Sequence, residues 1–324
     1  MTAITTLLVD SYRLLKARVL FWITLGISAL VAVMYLSIGF NDSGMSILFG
    51  AIKIENAQLA RDSPLAELLY IGLFTKFIVP IWITWVAIVL GIISTASIFP
   101  DFMSEGSVEL ALSKPVTRLT VFVWKYIGGL LFMLIQVGLF ALLVFLALRW
   151  RVGTWNPSVL WTVPLAVLVF SYLFAVVVFV NVMTRSALAG VLAALLVWFL
   201  SFLMNAVEGH LYTMAYVNGG AVDESMQEDL RPWHQRAVAA YAILPKTKQT
   251  IEFSDRLVRV RGETGFSTET FTELLSGGML DRQSLEGTDE AMRRNSGWYV
   301  IGTSLVFEAV LLGAAAWVFC RRDF

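Results

Sequence analysis

The segment FPDFMSEGSVELALSKPVTR, residues 99–118, lies between two long apolar runs and separates them with a short amphipathic stretch. Asp101 is placed to cap a helix that follows it, and Pro115 suits the first turn of the next helix. The pattern therefore predicts two apolar helices joined by a short amphipathic helix at 101–113. The two helices on either side of this polar connection therefore need an environment that accepts apolar surfaces.

The composition indicates that this solvent is a lipid bilayer. Hydrophobic residues make up 58% of the 324 residues and charged residues 15%, and the mean hydropathy is +0.74. The formal net charge is zero, which favours no nucleic-acid partner. A single cysteine excludes an internal disulfide framework, and two histidines argue against a soluble metalloenzyme.

Six apolar runs are long enough to cross a bilayer as helices. Residues 1–18 alternate charges with apolar side chains at helical spacing, which predicts an amphipathic helix lying on membrane lipid, although a plain extension of the first span fits the same pattern. The predicted spans are residues 19–40, 71–99, 119–148, 159–183, 187–207 and 298–319.

An even number of spans places both chain termini on the same side of the membrane. Short segments on the terminal side carry more arginine and lysine than the short segments on the other side, so we expect cytoplasmic termini. This orientation places residues 101–113 in the cytoplasm and residues 208–297 outside.

The segment 208–297 carries charges of both signs together with glycines and prolines, and it contains no apolar run long enough to cross. Residues 221–243 are typical of two helices interrupted near Pro232, residues 250–261 alternate like a strand, and residues 268–275 favour a short helix. The predicted fold is therefore an all-α integral membrane protein with six transmembrane helices and an α+β extracytoplasmic segment between helices 5 and 6. Its predicted divisions are 1–18, 19–207, 208–297 and 298–324, the last being the sixth helix and a cytoplasmic tail.

Glu308 is the ionisable residue nearest the middle of a predicted span. A charge at that depth costs at least ~2.5 kcal/mol on insertion scales, so its presence needs a reason. One interpretation is a polar site on a substrate path or a proton-linked switch. The other is a carboxyl that joins helices by hydrogen bonds to Gln136, Asn181 or a neighbouring subunit.

Motifs of the common enzyme classes do not occur in the sequence. There is no Gly-x-x-x-x-Gly-Lys-Ser/Thr phosphate loop, no Gly-x-Ser-x-Gly elbow and no His-Glu-x-x-His zinc pair. We therefore assign no catalytic residue, no metal site and no cofactor to this chain.

The stretch EGSVELALSKPVTR, residues 105–118, resembles the motif that follows the second span in ABC-2-type ABC transporter permeases. The six spans, the amphipathic start and the basic end extend the resemblance over most of the chain. Within the family it is similar to the bacterial permeases of the sodium-export, nitrous-oxide-maturation and gliding-motility type. Ser107 stands where threonine is common, and the 208–297 segment is longer than many relatives carry.

The resemblance implies that 101–113 is a coupling helix that docks on a separate ATPase subunit, which binds ATP and Mg²⁺. It also implies a bacterial inner-membrane location and assembly as a homodimer or with a similar permease, while residues 208–297 would cap the exit or engage an extracytoplasmic partner. The residues that match the coupling motif or flank it are Asp101, Glu105, Gly106, Glu109, Pro115 and Arg118.

Two other classes of function remain open on the sequence alone. One is an integral-membrane enzyme that modifies lipid through Glu308 or through residues of the aqueous segment. The other is a membrane scaffold that transports nothing.

Overall fold

The computed structural model describes residues 19–56, 59–103, 117–217, 224–259 and 295–321. In this part of the chain, six helices are long and apolar enough to cross a membrane. The predicted class of an all-α membrane protein with six spans is confirmed. The predicted amphipathic helix at 1–18 lies outside the described residues.

The helices and strands follow one another as six spans, with a long polar segment between the fifth and the sixth. The first span is α1 (Val19–Leu36), followed by β1 (Gly39–Asn41), β2 (Gly44–Ile47) and β3 (Ile52–Glu55). The second combines α2 (Pro64–Leu73), a π-helical stretch (Phe74–Ala87), α3 (Ile88–Thr95) and α4 (Ile98–Phe102). The third is α5 (Arg118–Arg151), and the fourth is α6 (Thr162–Thr184) with a 3₁₀ turn before it (Pro157–Trp161). The fifth is α7 (Ala187–Tyr212) with a π-helical turn (Thr213–Val217), then come α8 (Glu224–Ala242) and α9 (Thr247–Leu257), and the sixth span is α10 (Gly297–Arg321).

Hydroxyl side chains define where three of the spans begin. Ser63 accepts a hydrogen bond from the Ala66 amide, Thr117 from the Thr120 amide and Ser186 from the Ala189 amide. Each bond satisfies one of the amides that the first helical turn leaves without a partner. These caps place the helix starts within a residue or two of where the hydropathy pattern predicts them for the third and fifth spans, and seven residues earlier for the second.

The fourth span lies at the centre of the bundle. It packs against the third, fifth and sixth spans and against α9. Its side chains Phe170, Tyr172 and Phe174 are fully buried. The fifth and sixth spans expose most of their apolar surface, as expected for helices that meet lipid or another chain.

The three strands form one antiparallel sheet in the order β1-β2-β3, between the first and second spans. The sheet lies at the end of the bundle that carries Trp155, which we call the Trp155 end. There Arg151 donates to the Leu36 carbonyl at 2.7 Å and the Asp62 amide donates to the Val152 carbonyl at 3.2 Å. We call the opposite end, where the third span begins, the Arg118 end.

Two details predicted for the polar segment are wrong. Residues 250–261 were expected as a strand, but α9 covers this stretch as far as Leu257, because its buried residues Thr247, Thr250, Ile251 and Ser254 recur with the three-to-four-residue spacing of a helix. Residues 221–243 were expected as two helices, but α8 continues through Pro232. The carbonyl that this proline leaves without an amide belongs to Glu228, which is exposed to solvent. The predicted helix at 268–275 lies outside the described residues.

Glycines allow two pairs of helices to approach closely. A Cβ at Gly129 in the third span would lie 2.4 Å from the Phe174 ring of the fourth, and one at Gly190 in the fifth would lie 2.0 Å from Asn181 Oδ1. At Gly138, also in the third span, no other element of the described chain comes within 4 Å of the corresponding position. The close packing of the third span against the fourth therefore requires a residue without a side chain at position 129.

Replacing Gly129 with alanine should destabilise the bundle by about 1–3 kcal/mol, because Phe174 is fully buried and has little room to move. Gly138→Ala is the matched control and should leave the thermal unfolding midpoint in detergent unchanged or slightly raised. Equal midpoints for the two variants would contradict the close contact between the third and fourth spans.

Candidate coupling site and intramembrane polar cluster

The predicted coupling residues are only partly described. Asp101 is exposed and lies in α4, the last turn of the second span. Arg118 is the first residue of the third span. Glu105, Gly106, Glu109 and Pro115 lie outside the described residues, and so does the predicted helix beyond Met103.

Four phenylalanines form a cluster, the Phe319 cluster, beside the point where the second span ends. Phe99 and Phe102 come from the second span, Phe122 from the third and Phe319 from the sixth. The ring of Phe319 lies 6.4 Å from Phe99, 6.3 Å from Phe102 and 5.6 Å from Phe122, and Phe99 lies 5.3 Å from Phe122. All four rings are buried, so the cluster fastens the second span to the sixth.

Arg118 makes the corresponding attachment on the other side of the undescribed stretch 104–116. Its Nη1 donates to the carbonyl of Cys320 at 3.3 Å. That carbonyl belongs to the last turn of the sixth span, where a cation also interacts favourably with the helix dipole. The second and third spans, which flank the stretch 104–116, are therefore both held against the end of the sixth span.

Glu308 joins the sixth span to two others. Tyr126 of the third span donates to Oε1 at 2.7 Å, and Ser171 of the fourth donates to Oε2 at 2.8 Å. The interpretation of Glu308 as an interhelical hydrogen-bonding group agrees with this geometry. Its predicted partners Gln136 and Asn181 are wrong.

Gln136 and Asn181 lie elsewhere in the bundle. Gln136 is 2% exposed, and neither polar atom of its side chain has a hydrogen-bond partner among the described residues. Asn181 donates to the Ala96 carbonyl of the second span, and its Oδ1 packs against Gly190. The partners of Glu308 depend on how the helices rotate about their axes, which hydropathy does not reveal.

Helix α9 packs into the Trp155 end of the bundle through polar contacts. Lys246, at its start, donates from its amide to Ser304 Oγ and from Nζ to Thr303 Oγ1, both at 2.9 Å. Its Nζ also lies 5.1 Å from the ring centre of Tyr241 and 4.8 Å from that of Tyr299. Sequence analysis missed Lys246, because one lysine in a polar segment has no distinguishing pattern.

A second lysine ties the same helix to the second span. Lys76 Nζ lies 2.6 Å from Asp255 Oδ2, so this residue forms an ion pair within the protein. Glu208 and His234 join the fifth span to α8 at 3.1 Å, and both are buried. Burial also raises the pKa of Glu252 on α9 above its ordinary value. The polar segment is thus fixed to the bundle by its own charged residues.

A cavity of about 670 Å³ opens beside these contacts at the Trp155 end. It is lined by both acidic and basic side chains, among them Asp62, Glu67, Arg149 and Arg259. Glu67 is 3% exposed and accepts a hydrogen bond from Asn156 at 3.1 Å. Within the described part of the chain, no group of three or more His, Cys, Asp or Glu side chains is arranged to hold a metal ion.

The described residues form six apolar spans, and the second and third of these, on either side of residues 104–116, are both held against the end of the sixth. The family model of the ABC-2 family transporter protein matches residues 15–324. The chain belongs to this family. A comparison with curated proteins finds no match. The ABC-2 chain is thus a membrane-spanning component of an ABC transporter, as the motif at residues 105–118 predicted.

The ABC-2 chain should become more stable as the pH rises above the pKa of the buried Lys246 ammonium. Burial lowers the pKa of Lys246 from 10.5 to about 8. Between these values the unfolded chain binds more protons than the folded one, so unfolding becomes less favourable as the pH increases. The thermal midpoint of the wild type, measured relative to Lys246→Met at each pH, should therefore rise from pH 8 towards 10.5. Parallel curves for the two proteins would contradict the burial of this ammonium.

Proposed function

We propose that this chain is a permease subunit whose coupling helix receives motion from a separate ABC ATPase. The observation that carries the proposal is that the helices on both sides of residues 104–116 are held against the sixth span, one through the Phe319 cluster and the other through Arg118. Because the second and third spans are both held against the sixth, a displacement of residues 101–113 reaches the sixth span and is not taken up by a flexible connection.

The proposed orientation places the Arg118 end in the cytoplasm of a bacterium, at the inner membrane, with both termini on that side. The basic residues Arg118, Arg185 and Arg321 at this end support it. ATP and Mg²⁺ belong to the ATPase subunits, which lack any membrane span of their own in this scheme. The permease pairs with a second copy or with a similar permease, so that two ATPases act on two coupling helices.

The proposed cycle begins when the ATPases close on ATP. Closure displaces the coupling helix, and the Phe319 cluster and Arg118 transfer the displacement to the third and sixth spans. Because packed helices move as rigid bodies, these spans rock against the central fourth span. The rocking opens a path for export or transmits force to the outer side.

Reversing the charges of Glu105 and Glu109 should abolish recovery of an ATPase with the tagged permease from native membranes. The double lysine variant replaces the acidic side of the coupling helix with a charge of the wrong sign. The matched control reverses Glu228 and Asp229, which are exposed on α8. Mass spectrometry of the purified complexes compares the recovered ATPase. Equal recovery from both variants would contradict docking through 101–113.

The variant Phe319→Ala should leave docking of the ATPase intact but weaken the transmission of motion to the spans. The variant removes the buried ring that joins the second, third and sixth spans but leaves the residues of the proposed docking helix intact. We expect normal recovery of the ATPase with a reduced effect of the permease on ATP hydrolysis. Trp317→Ala, an exposed position on the same span, is the control and should retain that effect.

A further inference from the structure

Four charged side chains line the cavity at the Trp155 end without pairing with one another. They are the carboxylates of Asp62 and Glu67 and the guanidinium groups of Arg149 and Arg259. No ion pair joins any of the four to a residue that the structure describes. The cavity measures about 670 Å³, a size typical of pockets that bind small ligands. Its four charges sum to zero, so a ligand with one charge of each sign would balance them.

Gly153, which follows the third span, brings opposite charges to one wall of this cavity. Its backbone lies against the Asp62 carboxylate, since a Cβ at this position would overlap Oδ1. Its carbonyl accepts a hydrogen bond from Arg149 Nη1, which directs the guanidinium beyond the end of the helix and out of the apolar region. The same guanidinium lies 5.4 Å from the ring centre of Trp155. Two contacts therefore fix the position of the Arg149 cation.

Glu67 forms a second wall, and Asn156 orients it. Only 3% of Glu67 is exposed, and its Oε1 accepts a hydrogen bond from Asn156 Nδ2 at 3.1 Å. The same Nδ2 donates to the Arg259 carbonyl, while Asn156 Oδ1 accepts from the Ser158 amide at 3.2 Å. Asn156 thus has no hydrogen left for a ligand. A carboxylate buried this deeply needs a cation to offset the loss of water, and no described residue forms an ion pair with it.

An exposed apolar face of the third span leads to the cavity. Leu142 and Leu146 precede Arg149 by seven and three residues, so all three lie on one side of the helix. Both leucines are 47% exposed. Phe145, between them in sequence, packs against Trp155 with the ring centres 5.1 Å apart. A lipid whose acyl chain lies on this face would bring its headgroup to the Arg149 guanidinium, a group whose geometry matches a phosphate.

We propose that the cavity binds the headgroup of one amine-bearing phospholipid, with its phosphate at Arg149 and its primary ammonium at Glu67. The negative and positive charges of this headgroup match the zero total of the cavity. A quaternary ammonium has no hydrogen to donate to Glu67, and a glycerol headgroup brings no cation, so lipids of those kinds fit less well. None of the residues of this site lies in 101–113, so it does not depend on ATPase docking.

Native mass spectrometry of the delipidated permease in detergent tests the site with three phospholipids that share the same acyl chains. Phosphatidylethanolamine should bind about tenfold more tightly than phosphatidylcholine or phosphatidylglycerol, because only its cation donates hydrogen bonds to Glu67. Glu67→Gln keeps an acceptor for Asn156 but removes the charge, so it should lower the affinity for phosphatidylethanolamine to that for phosphatidylcholine. Glu55→Gln, on the exposed strand β3, is the matched control and should bind as the wild type does. Equal affinities of the wild type for the three lipids, or an undiminished preference in Glu67→Gln, would overturn the proposal.

Arg149→Gln tests the phosphate contact and keeps the test valid if Glu67→Gln fails to fold, because Arg149 is exposed. It should weaken the binding of all three lipids, whereas Glu67→Gln affects phosphatidylethanolamine alone. Soluble phosphoethanolamine distinguishes a lipid from a free zwitterion. It should not displace phosphatidylethanolamine even at about tenfold excess, since it lacks the acyl chains that lie on the third span. Displacement at equal concentration, or wild-type binding by Arg149→Gln, would overturn the assignment to a phospholipid.

Discussion

The packing of Phe319 against Phe99, Phe102 and Phe122 is the contact on which the proposed transmission of motion between the spans depends most. It brings together the end of the second span, the start of the third and the end of the sixth, although these elements are far apart in sequence. Without it, the residues that precede the stretch 104–116 would lose their packing against the sixth span. Motion in that stretch could then be absorbed locally instead of reaching the other spans.

The sixth span makes attachments of different chemistry at three depths. At the Arg118 end it packs through aromatic rings, near its middle it bonds through Glu308 to the third and fourth spans, and towards the Trp155 end Thr303 and Ser304 hold Lys246. In a bilayer such polar contacts have no competition from water, so each one fixes the rotation of the helix as well as its position. A span exposed over most of its surface can therefore still move as one body with its neighbours.

The sequence was enough to predict the spans, because the apolar length needed to cross a bilayer is a property of each segment alone. The alternation at 250–261 misled because buried threonines and serines on α9 give a pattern that fits a strand as readily as a helix. Sequence also located Glu308 but not Tyr126 or Ser171, since the choice among polar partners follows from helix rotation and from close approaches such as Gly129 against Phe174. The coupling motif was recognised by resemblance, whereas its attachment to the sixth span required the fold.

The most direct measurement of the central claim is the distance between spin labels on the third and sixth spans, at Gly138 and Gly302, in the permease–ATPase complex. Both positions have open surroundings, so labels fit without disturbing the packing. Trapping the ATPases with ATP should change the distance distribution, and Phe319→Ala should abolish the change while the complex stays assembled. An unchanged distribution in the wild type, or an undiminished change in Phe319→Ala, would contradict transmission through the Phe319 cluster.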